Sequence, residues 1–424
     1  MGFSFMAMPR FLRRFKPSTV RKTTWSAVIV ALVVGLGING FHNVGTVSLA
    51  ENADCVSTPP QTEPAPPVLP EVTSADLASP REITGPTTAY TESSAIPPIT
   101  DAAGAVQQLP ATVMSADGVS TTVTDTTRIL ALNQNGGLAA AVIGLGLGCN
   151  LIGRDTATDI PTLMPGNENL PLVTQNGHEL AAEAILNLAP TVVISDGSVG
   201  PYDVQLQLRE AGIPVVMVPT PYEAGVNSVG EQIQFVADAL GVGLLGESLV
   251  ERTNAEIAST IQQLGRIAPT DPEEKPRVVF LYLRGNIYYW FGIGSGADSI
   301  IQSISARDVA TEVGFEGMAP TNSEALIKAE PDVIIVMTLG LASVGGLDAA
   351  LELPGIKQTP AGQNQRIVDM SDYEVMSFGP RTAWVIAALG MAIYAPELSY
   401  QPEHGPEAVE ERLEEINEEM SEQE

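Results

Sequence analysis

The chain has 424 residues, more than a single hydrophobic core usually organises, so at least two structural units are expected. Its formal net charge is −29, from 50 acidic and 21 basic residues, and so acidic a surface disfavours nucleic acid and anionic lipid headgroups as partners. The sequence has no Cys-x-x-Cys pair, and of its three histidines only His178 lies in the predicted folded region, which excludes thiolate zinc sites and His-rich metal sites.

Residues 1–50 have the pattern of an export signal peptide. Six basic residues precede an apolar, uncharged stretch from Trp25 to Phe41, and Ser48-Leu49-Ala50 supplies a small–x–small cleavage pattern. The stretch is nearly long enough to cross a bilayer, so an uncleaved membrane anchor is the alternative. Cys55 is a candidate lipoprotein cysteine, although Asp54 precedes it where such signals carry a small residue; a disulfide or a free thiol is the alternative.

The rest of the chain divides by composition. Residues 51–110 are rich in Pro, Thr, Ser and Ala, which predicts a disordered spacer because this composition cannot bury a core. From residue 111 onward short apolar runs alternate with helical patterns, which predicts two α/β lobes over residues 111–226 and 271–400. A connecting helical segment is predicted over residues 227–270, and residues 401–424 form an acidic tail.

The predicted strands are short and apolar. A hairpin around Asp117-Gly118 is expected to join the first two of them. In chain order the predicted strands are Ala111–Met114, Thr121–Thr124, Arg128–Leu132, Thr191–Ser195, Pro214–Val218, Val278–Leu283, Tyr288–Phe291, Asp332–Met337 and Arg366–Met370.

An internal repeat supports the two-lobe interpretation. Residues 183–194 and 324–335 both begin with Glu-Ala, continue as an apolar helical pattern, and reach a proline seven residues after the glutamate. A proline cannot continue a helix, so each copy predicts a short helix followed by a buried strand. Convergence on a common helix–Pro–strand pattern is the alternative, but the shared Glu-Ala start and the spacing of 141 residues favour one structural copy in each lobe.

Two residues, Tyr282 and His178, have the chemistry of iron ligands, and Arg284 can assist the first of them. Tyr282 and Arg284 are two positions apart, on the predicted strand Val278–Leu283 or at its end, so their side chains are expected to point to one face, where the guanidinium favours the phenolate. Phenolate and neutral imidazole are both known haem ligands, and His178 lies at a predicted loop-to-helix junction from which it can reach a cleft. Spacing alone leaves open an unrelated surface Tyr and Arg, and a His that makes only a local hydrogen bond.

Two glycine-rich stretches resemble nucleotide-binding motifs. Gly241 to Gly246 has P-loop spacing, but Glu247 stands where a lysine is required. Gly292 to Ala297 follows a predicted strand, yet no clear acidic partner follows a second strand, so a tight turn is favoured over a dinucleotide site. An enzyme with a dinucleotide site, and a cell-wall adhesion or scaffold protein, are therefore the competing classes of function.

Four motifs together resemble a known family. They are Leu172–His178, Tyr282–Gly285, Gly294–Asp298 and Phe378–Thr382. On these motifs, residues from about 110 to 397 resemble the substrate-binding proteins of ferric-siderophore, cobalamin and haem importers. Within that class the chain most resembles the haem-binding proteins of Gram-positive haem ABC importers, of the HmuT type.

The resemblance implies a fold and a ligand. It implies two Rossmann-like α/β lobes joined by a single long α-helix, with the ligand cleft between the lobes. It further implies that haem (iron protoporphyrin IX) is the transported ligand, with His178 and Tyr282 as axial iron ligands and Arg284 hydrogen-bonded to the tyrosine. A ferric-siderophore or cobalamin binding protein of the same fold is the alternative.

The resemblance also implies partners and a location. Glu183 and Glu324 match the positions that dock onto arginines of the dimeric permease, which works with an ATPase. The chain would then be no enzyme, but an exported protein at the outer face of the cell membrane, anchored by lipid at Cys55 or by an uncleaved N-terminal segment. Cys149 departs from the family pattern, which has a polar residue there.

Overall fold

The computed structural model describes residues 66–91, 95–100, 104–158, 169–175, 178–219, 225–285 and 287–402. The predicted export segment, Cys55 and the acidic tail beyond residue 402 lie outside these residues. All the described residues belong to one compact unit. Among them, no helix combines the length and the apolar character that crossing a membrane requires.

Strands and helices alternate along the described chain. The strands are β1 (Thr87–Ala89), β2 (Ala111–Met114), β3 (Ser120–Val123), β4 (Ile129–Leu132), β5 (Thr174–Gln175), β6 (Glu179–Leu180), β7 (Val192–Ser195), β8 (Val215–Met217), β9 (Arg277–Arg284), β10 (Ile287–Phe291), β11 (Arg307–Asp308), β12 (Met318–Pro320), β13 (Val333–Met337) and β14 (Ile367–Met370). The α-helices are α1 (Gly137–Val142), α2 (Ala182–Leu188), α3 (Tyr202–Glu210), α4 (Val229–Ala239), α5 (Gly243–Ile267), α6 (Ala297–Ser303), α7 (Val309–Val313), α8 (Ser323–Ala329), α9 (Thr338–Ser343), α10 (Gly346–Leu351), α11 (Pro360–Gln363) and α12 (Thr382–Tyr394). The predicted strands are confirmed to within one residue at each end.

The first lobe is built on a parallel sheet of order β4-β7-β8, with the β2–β3 hairpin beside it. Every residue of these three parallel strands is buried, as expected for a sheet covered on both faces. Alternate residues divide between two cores: Leu130 and Val193 pack on one face, and Ala131 and Ile194 pack on the other. The second of these cores is shared with the other lobe.

The second lobe is built on a larger mixed sheet. Among the described residues its strand order is β1-β14-β13-β9-β10-β12, with β11 paired to β9. Strands β9, β13 and β14 run parallel, whereas β10 pairs antiparallel with β9 and with β12. The antiparallel strands β10 and β12 therefore extend the sheet from β9 to one edge.

A single long helix joins the lobes, as predicted. Helix α5 has 25 residues, follows α4 after a tight turn, and leads into β9 of the second lobe. The turn needs a glycine because Gly241 has a φ of +71°, and a Cβ there would lie 2.3 Å from the carbonyl oxygen of Gln108. On the other side of α5, Gly390 of α12 allows close packing, since its Cβ would meet the Leu264 side chain at 2.4 Å.

The internal repeat has a structural counterpart in each lobe. Helices α2 and α8 both have seven residues and both end at a residue with a φ of 45°, Ala189 and Glu330, before the proline and the strand. An arginine caps each helix end: Arg128 donates to the Ala189 carbonyl at 3.1 Å, and Arg277 donates to the Glu330 carbonyl at 3.4 Å. The two copies therefore occupy equivalent places in the two sheets, and the repeat is structural.

The second part of the predicted spacer packs on the lobes. Leu69 is buried, and its backbone N–H donates to Oε1 of Gln263 at 2.9 Å, while Nε2 of the same glutamine donates to the Pro67 carbonyl at 2.9 Å. Strand β1 then adds to the second-lobe sheet beside β14. Further on, the Ile99 N–H donates to the Gly144 carbonyl of the first lobe at 2.8 Å.

The prediction of a disordered spacer is therefore wrong for residues 66–91, 95–100 and 104–110, and its remainder lies outside the described residues. The composition argument failed because this segment needs no core of its own. It contributes a few apolar side chains, among them Leu69, Ala89 and Ile96, to a core that both lobes build. Its backbone groups pair with the edge of a sheet that exists without it.

Candidate ligand-binding cleft

The β9–β10 pair presents a continuous aromatic face, formed by Phe280, Tyr282, Tyr289 and Phe291. Directly opposite residues on antiparallel strands share a face, and the register pairs Tyr282 with Tyr289 and Phe280 with Phe291. The ring centroids of Tyr282 and Tyr289 are 6.5 Å apart, those of Tyr282 and Phe291 are 6.3 Å apart, and those of Phe280 and Phe291 are 5.2 Å apart. Tyr282, Tyr289 and Phe291 are the partly exposed rings of this face and are available to an apolar ligand.

The opposite face of the same strands fixes where the aromatic face points. Leu281, Leu283 and Trp290 are buried in the core of the second lobe, so the alternating residues must point away from that core. Phe280 is 1% exposed at the inner end, Tyr282 and Tyr289 are half-buried, and Arg284 is exposed at the outer end. The aromatic face therefore runs from the shared core out to solvent.

His178 comes from the first lobe, in the turn of a small hairpin formed by β5 and β6. The backbone of this turn is held because the Gly200 N–H donates to the His178 carbonyl at 3.0 Å, and the Leu180 N–H donates to the Gly200 carbonyl at 2.5 Å. The predicted loop-to-helix junction differs in detail, since β6 intervenes before α2 begins at Ala182. The imidazole itself is solvent-accessible, so the hairpin fixes the backbone and leaves the side chain available.

The pKa of His178 depends on its surroundings and on the charge of Arg284. Partial burial lowers the pKa of His178, and the positive charge of Arg284 lowers this pKa further. Arg284 belongs to the second lobe and lies on the same strand face as Tyr282, two positions beyond it. Tyr282 and Arg284 thus share one strand face, and Arg284 lies near enough to His178 for its charge to lower the imidazole pKa.

The two glutamates predicted to dock onto a permease lie elsewhere. Glu183 and Glu324 are exposed in the first turns of α2 and α8, while Ile185 and Leu326 anchor the same helices in the cores. Neither carboxylate forms a hydrogen bond or an ion pair with another described residue. The two residues therefore occupy matched surface positions, one on each lobe.

The two lobes meet near the Phe378–Thr382 motif. A Cβ at Gly137 of the first lobe would lie 2.7 Å from the carbonyl oxygen of Phe378, so only glycine permits this approach. Beside it, Arg381 forms a nearly buried ion pair with Glu374 at 2.6 Å and donates to the Thr91 hydroxyl at 2.7 Å. The motif thus has a structural role in holding the lobes against each other.

The glycine-rich stretch Gly292–Ala297 is a turn, as favoured from the sequence. The Asp298 carboxylate accepts hydrogen bonds from the N–H groups of Gly294 and Gly296 at 3.0 and 3.1 Å. These are the amides that a phosphate would need, and they are already satisfied within the chain. Gly292 is required for a different reason, since a Cβ there would lie 2.4 Å from the Phe315 ring.

Sequence reasoning missed Tyr289 and Phe291 as cleft residues. The alternation of Ile287, Tyr289 and Phe291 in β10 could have indicated a shared face, but only the register with β9 places that face beside Tyr282. Among the described residues, no group of three or more His, Cys, Asp or Glu side chains could hold a metal ion. The β9–β10 face itself combines phenols and apolar rings.

Two α/β lobes joined by one long helix, with candidate ligand residues from both lobes, define a substrate-binding protein. The chain belongs to the periplasmic binding protein family, whose model matches residues 135–374. A comparison with curated protein sequences gave no match.

Several solved structures similar to this chain are haem-binding proteins. The heme binding protein HmuT is 36% identical, with a TM-score of 0.68 over 75% of this chain and 100% of that chain. The periplasmic heme-binding protein RhuT from Roseiflexus sp. RS-1 is 33% identical, with a TM-score of 0.57 over 64% of this chain and 99% of that chain. BhuT, solved in complex with two hemes, is 28% identical, with a TM-score of 0.54 over 64% and 99% of the two chains.

Further solved structures of HmuT carry single substitutions to alanine. One replaces a histidine, one a tyrosine, and one an arginine that lies two positions after the tyrosine. Arg284 has the same offset from Tyr282 in this chain.

Proposed function

We propose that this chain is an extracytoplasmic haem-binding protein that captures haem and delivers it to the permease of an ABC importer, and that it is not an enzyme. The observation that carries this proposal is the aromatic face on which Tyr282 and Arg284 lie together, with the Arg284 charge acting on first-lobe His178. The similarity to haem-binding proteins over most of their length supports the same ligand.

The proposed haem complex has protein ligands on both faces of the porphyrin. The neutral imidazole of His178 donates a nitrogen lone pair to ferric iron on one face. On the other face Tyr282 loses its phenolic proton to solvent and binds as phenolate, which the Arg284 cation stabilises. The rings of Tyr289 and Phe291 then cover the porphyrin on the second-lobe side, since they share the face of Tyr282.

Haem titration tests this proposal. The protein should bind one equivalent of ferric haem in a six-coordinate complex, and His178→Ala and Tyr282→Ala should each weaken binding by about thirtyfold, as for loss of a dominant contact. The double variant should lose more than either single variant. Tyr288→Phe is the matched control, because the Tyr288 hydroxyl donates to the Pro354 carbonyl and its ring packs on the opposite face. An unchanged affinity and spectrum in the double variant would refute the proposed ligands.

We further propose that Glu183 and Glu324 dock this protein onto its permease, one from each lobe. Their exposure and their matched places in the repeat support this role, because two equivalent carboxylates suit a partner with two equivalent halves. Charge pairs at the rim of an interface act mainly on orientation and association rate.

For the membrane anchor, we propose a lipid at Cys55 or the uncleaved N-terminal segment, since the sequence offers both. The mass of the protein purified from membranes distinguishes them. A diacylglycerol adduct would identify the lipid, and the full unprocessed mass would identify the uncleaved segment. A processed protein without an adduct would refute both.

A further inference from the structure

The cleft contains two phenols that are nearly equivalent. Tyr289 lies directly opposite Tyr282 in the β9–β10 register, on the same face, with ring centroids 6.5 Å apart. Both side chains are half-buried, and within the part of the chain that the structure describes neither hydroxyl has a hydrogen-bond partner. Tyr288 next in sequence behaves differently, since its hydroxyl donates to the Pro354 carbonyl at 2.7 Å.

Neither hydroxyl is among the buried polar atoms that lack a partner, so both phenols are open to a ligand that enters the cleft. Ferric iron accepts phenolate oxygen as a ligand. Neighbouring strands are about 4.8 Å apart, so a shift of haem by roughly one strand spacing exchanges one phenol for the other. Such a shift keeps the porphyrin on the aromatic face throughout.

The cation that assists Tyr282 also has access to Tyr289. Arg284 pairs with Ile287 across the strands, so it is the diagonal neighbour of Tyr289 on the same face. Diagonal neighbours on an antiparallel pair are about 7–8 Å apart, within reach of a long side chain. The Arg284 guanidinium is exposed and forms no ion pair or hydrogen bond with another described residue, so it can turn toward either phenol.

We propose that Tyr289 is a second iron-ligand position, which holds haem whenever the Tyr282 bond is absent. This inference rests on the proposed haem-binding function. In the exchange the Tyr289 hydroxyl gives its proton to solvent and forms the O–Fe bond, while the Tyr282 phenolate leaves iron and takes up a proton. The iron stays ferric throughout, and no oxidant or reductant is required. Haem can thereby leave the His178–Tyr282 position without losing every oxygen ligand at once.

Removing only the Tyr282 oxygen tests the inference. The Tyr282→Phe variant should still bind ferric haem with a phenolate signature, measured as the tyrosinate bands in resonance Raman spectra and the tyrosinate charge-transfer absorption. Tyr282→Phe with Tyr289→Phe should lose that signature. Tyr282→Phe with Tyr288→Phe is the matched control and should keep it, because Tyr288 belongs to the opposite face. Circular dichroism and thermal unfolding establish that each variant is folded.

Two other results have separate meanings. A folded Tyr282→Phe variant that binds haem without any phenolate signature would overturn the inference, and so would a signature that survives in the variant lacking both Tyr282 and Tyr289 oxygens. Absence of haem binding by the unsubstituted protein would instead refute the proposed function itself.

Discussion

The two lobes have equivalent strands, but the residues at corresponding positions of these strands differ near the cleft. Strand β4 pairs with β7 from Ile129 and Val192, as β9 pairs with β13 from Val278 and Val333, so the two strands are equivalent. Counting along them, Ala131 and Asn133 of the first lobe correspond to Phe280 and Tyr282 of the second. The first lobe therefore has small and polar residues where the second has aromatic rings.

The chemistry of the two positions explains their different roles. Asn133 is buried, its amide donates to the Asn135 side chain at 2.5 Å, and its own oxygen accepts from the Leu138 N–H at 3.3 Å. These bonds commit Asn133 to the loop before α1, and the first lobe instead offers His178 from a hairpin turn. One lobe thus presents a rigid sheet face, and the other presents a single side chain that can adjust to the ligand.

The largest effect is expected where the sheet face joins the core. Phe280→Ala replaces the aromatic residue by its first-lobe counterpart and should lower the free energy of unfolding by about 3–5 kcal/mol, because Phe280 is almost fully buried. Ile287→Ala, at the exposed outer end of the same strand pair, should change it by less than about 1 kcal/mol. Urea unfolding measures both changes in the free energy of unfolding. Equal changes would contradict the decrease in burial along the aromatic face.

A smaller effect is expected from removing the Arg284 charge of the second lobe, which acts on His178 of the first lobe. The pKa of His178 is lowered by burial and by the Arg284 charge. Arg284→Gln should therefore raise this pKa toward its usual value, and haem binding, which needs the neutral imidazole, should fail at a higher pH as the solution is acidified. NMR titration of His178 and the pH profile of haem affinity measure the shift. Arg284→Lys keeps the charge and serves as the control.

The same lowered pKa predicts the pH dependence of stability. The unfolded chain holds a proton on His178 up to a higher pH than the folded chain does. The contribution of His178 to stability is therefore present above the unfolded pKa and diminishes as the pH falls through it. Arg284→Gln should reduce this pH dependence of stability. An identical pH profile of stability in the variant and the parent would show that Arg284 does not affect the pKa of His178.

The smallest effect on the cleft should come from the matched surface positions. Glu183→Ala with Glu324→Ala should leave haem affinity unchanged, because both carboxylates are exposed and form no hydrogen bond or ion pair with another described residue. It should abolish stimulation of the importer's ATPase in reconstituted membranes, and each single variant should have about half the effect. Glu247→Ala, on the exposed side of α5, is the control. Full stimulation by the double variant would leave the two residues as ordinary residues of helix first turns.

The sequence alone determined the alternation of strands and helices, the repeat, and the identities of His178, Tyr282 and Arg284. These features are local: buried strands are continuous apolar runs, a proline ends a helix, and residues two apart on a strand share a face. Chemistry that depends on residue type, such as imidazole or phenol, is also present in the sequence itself.

Only the tertiary structure decided the position of Tyr289 beside Tyr282, the hairpin that carries His178, and the packing of the described residues between 66 and 110. Each depends on pairing between distant segments: the β9–β10 register sets Tyr289 beside Tyr282, and β1 exists because the edge of β14 is there to receive it. Composition describes only what a segment can bury by itself. It does not describe what a core built by other segments can accept, because burial and cross-strand pairing belong to the assembled fold.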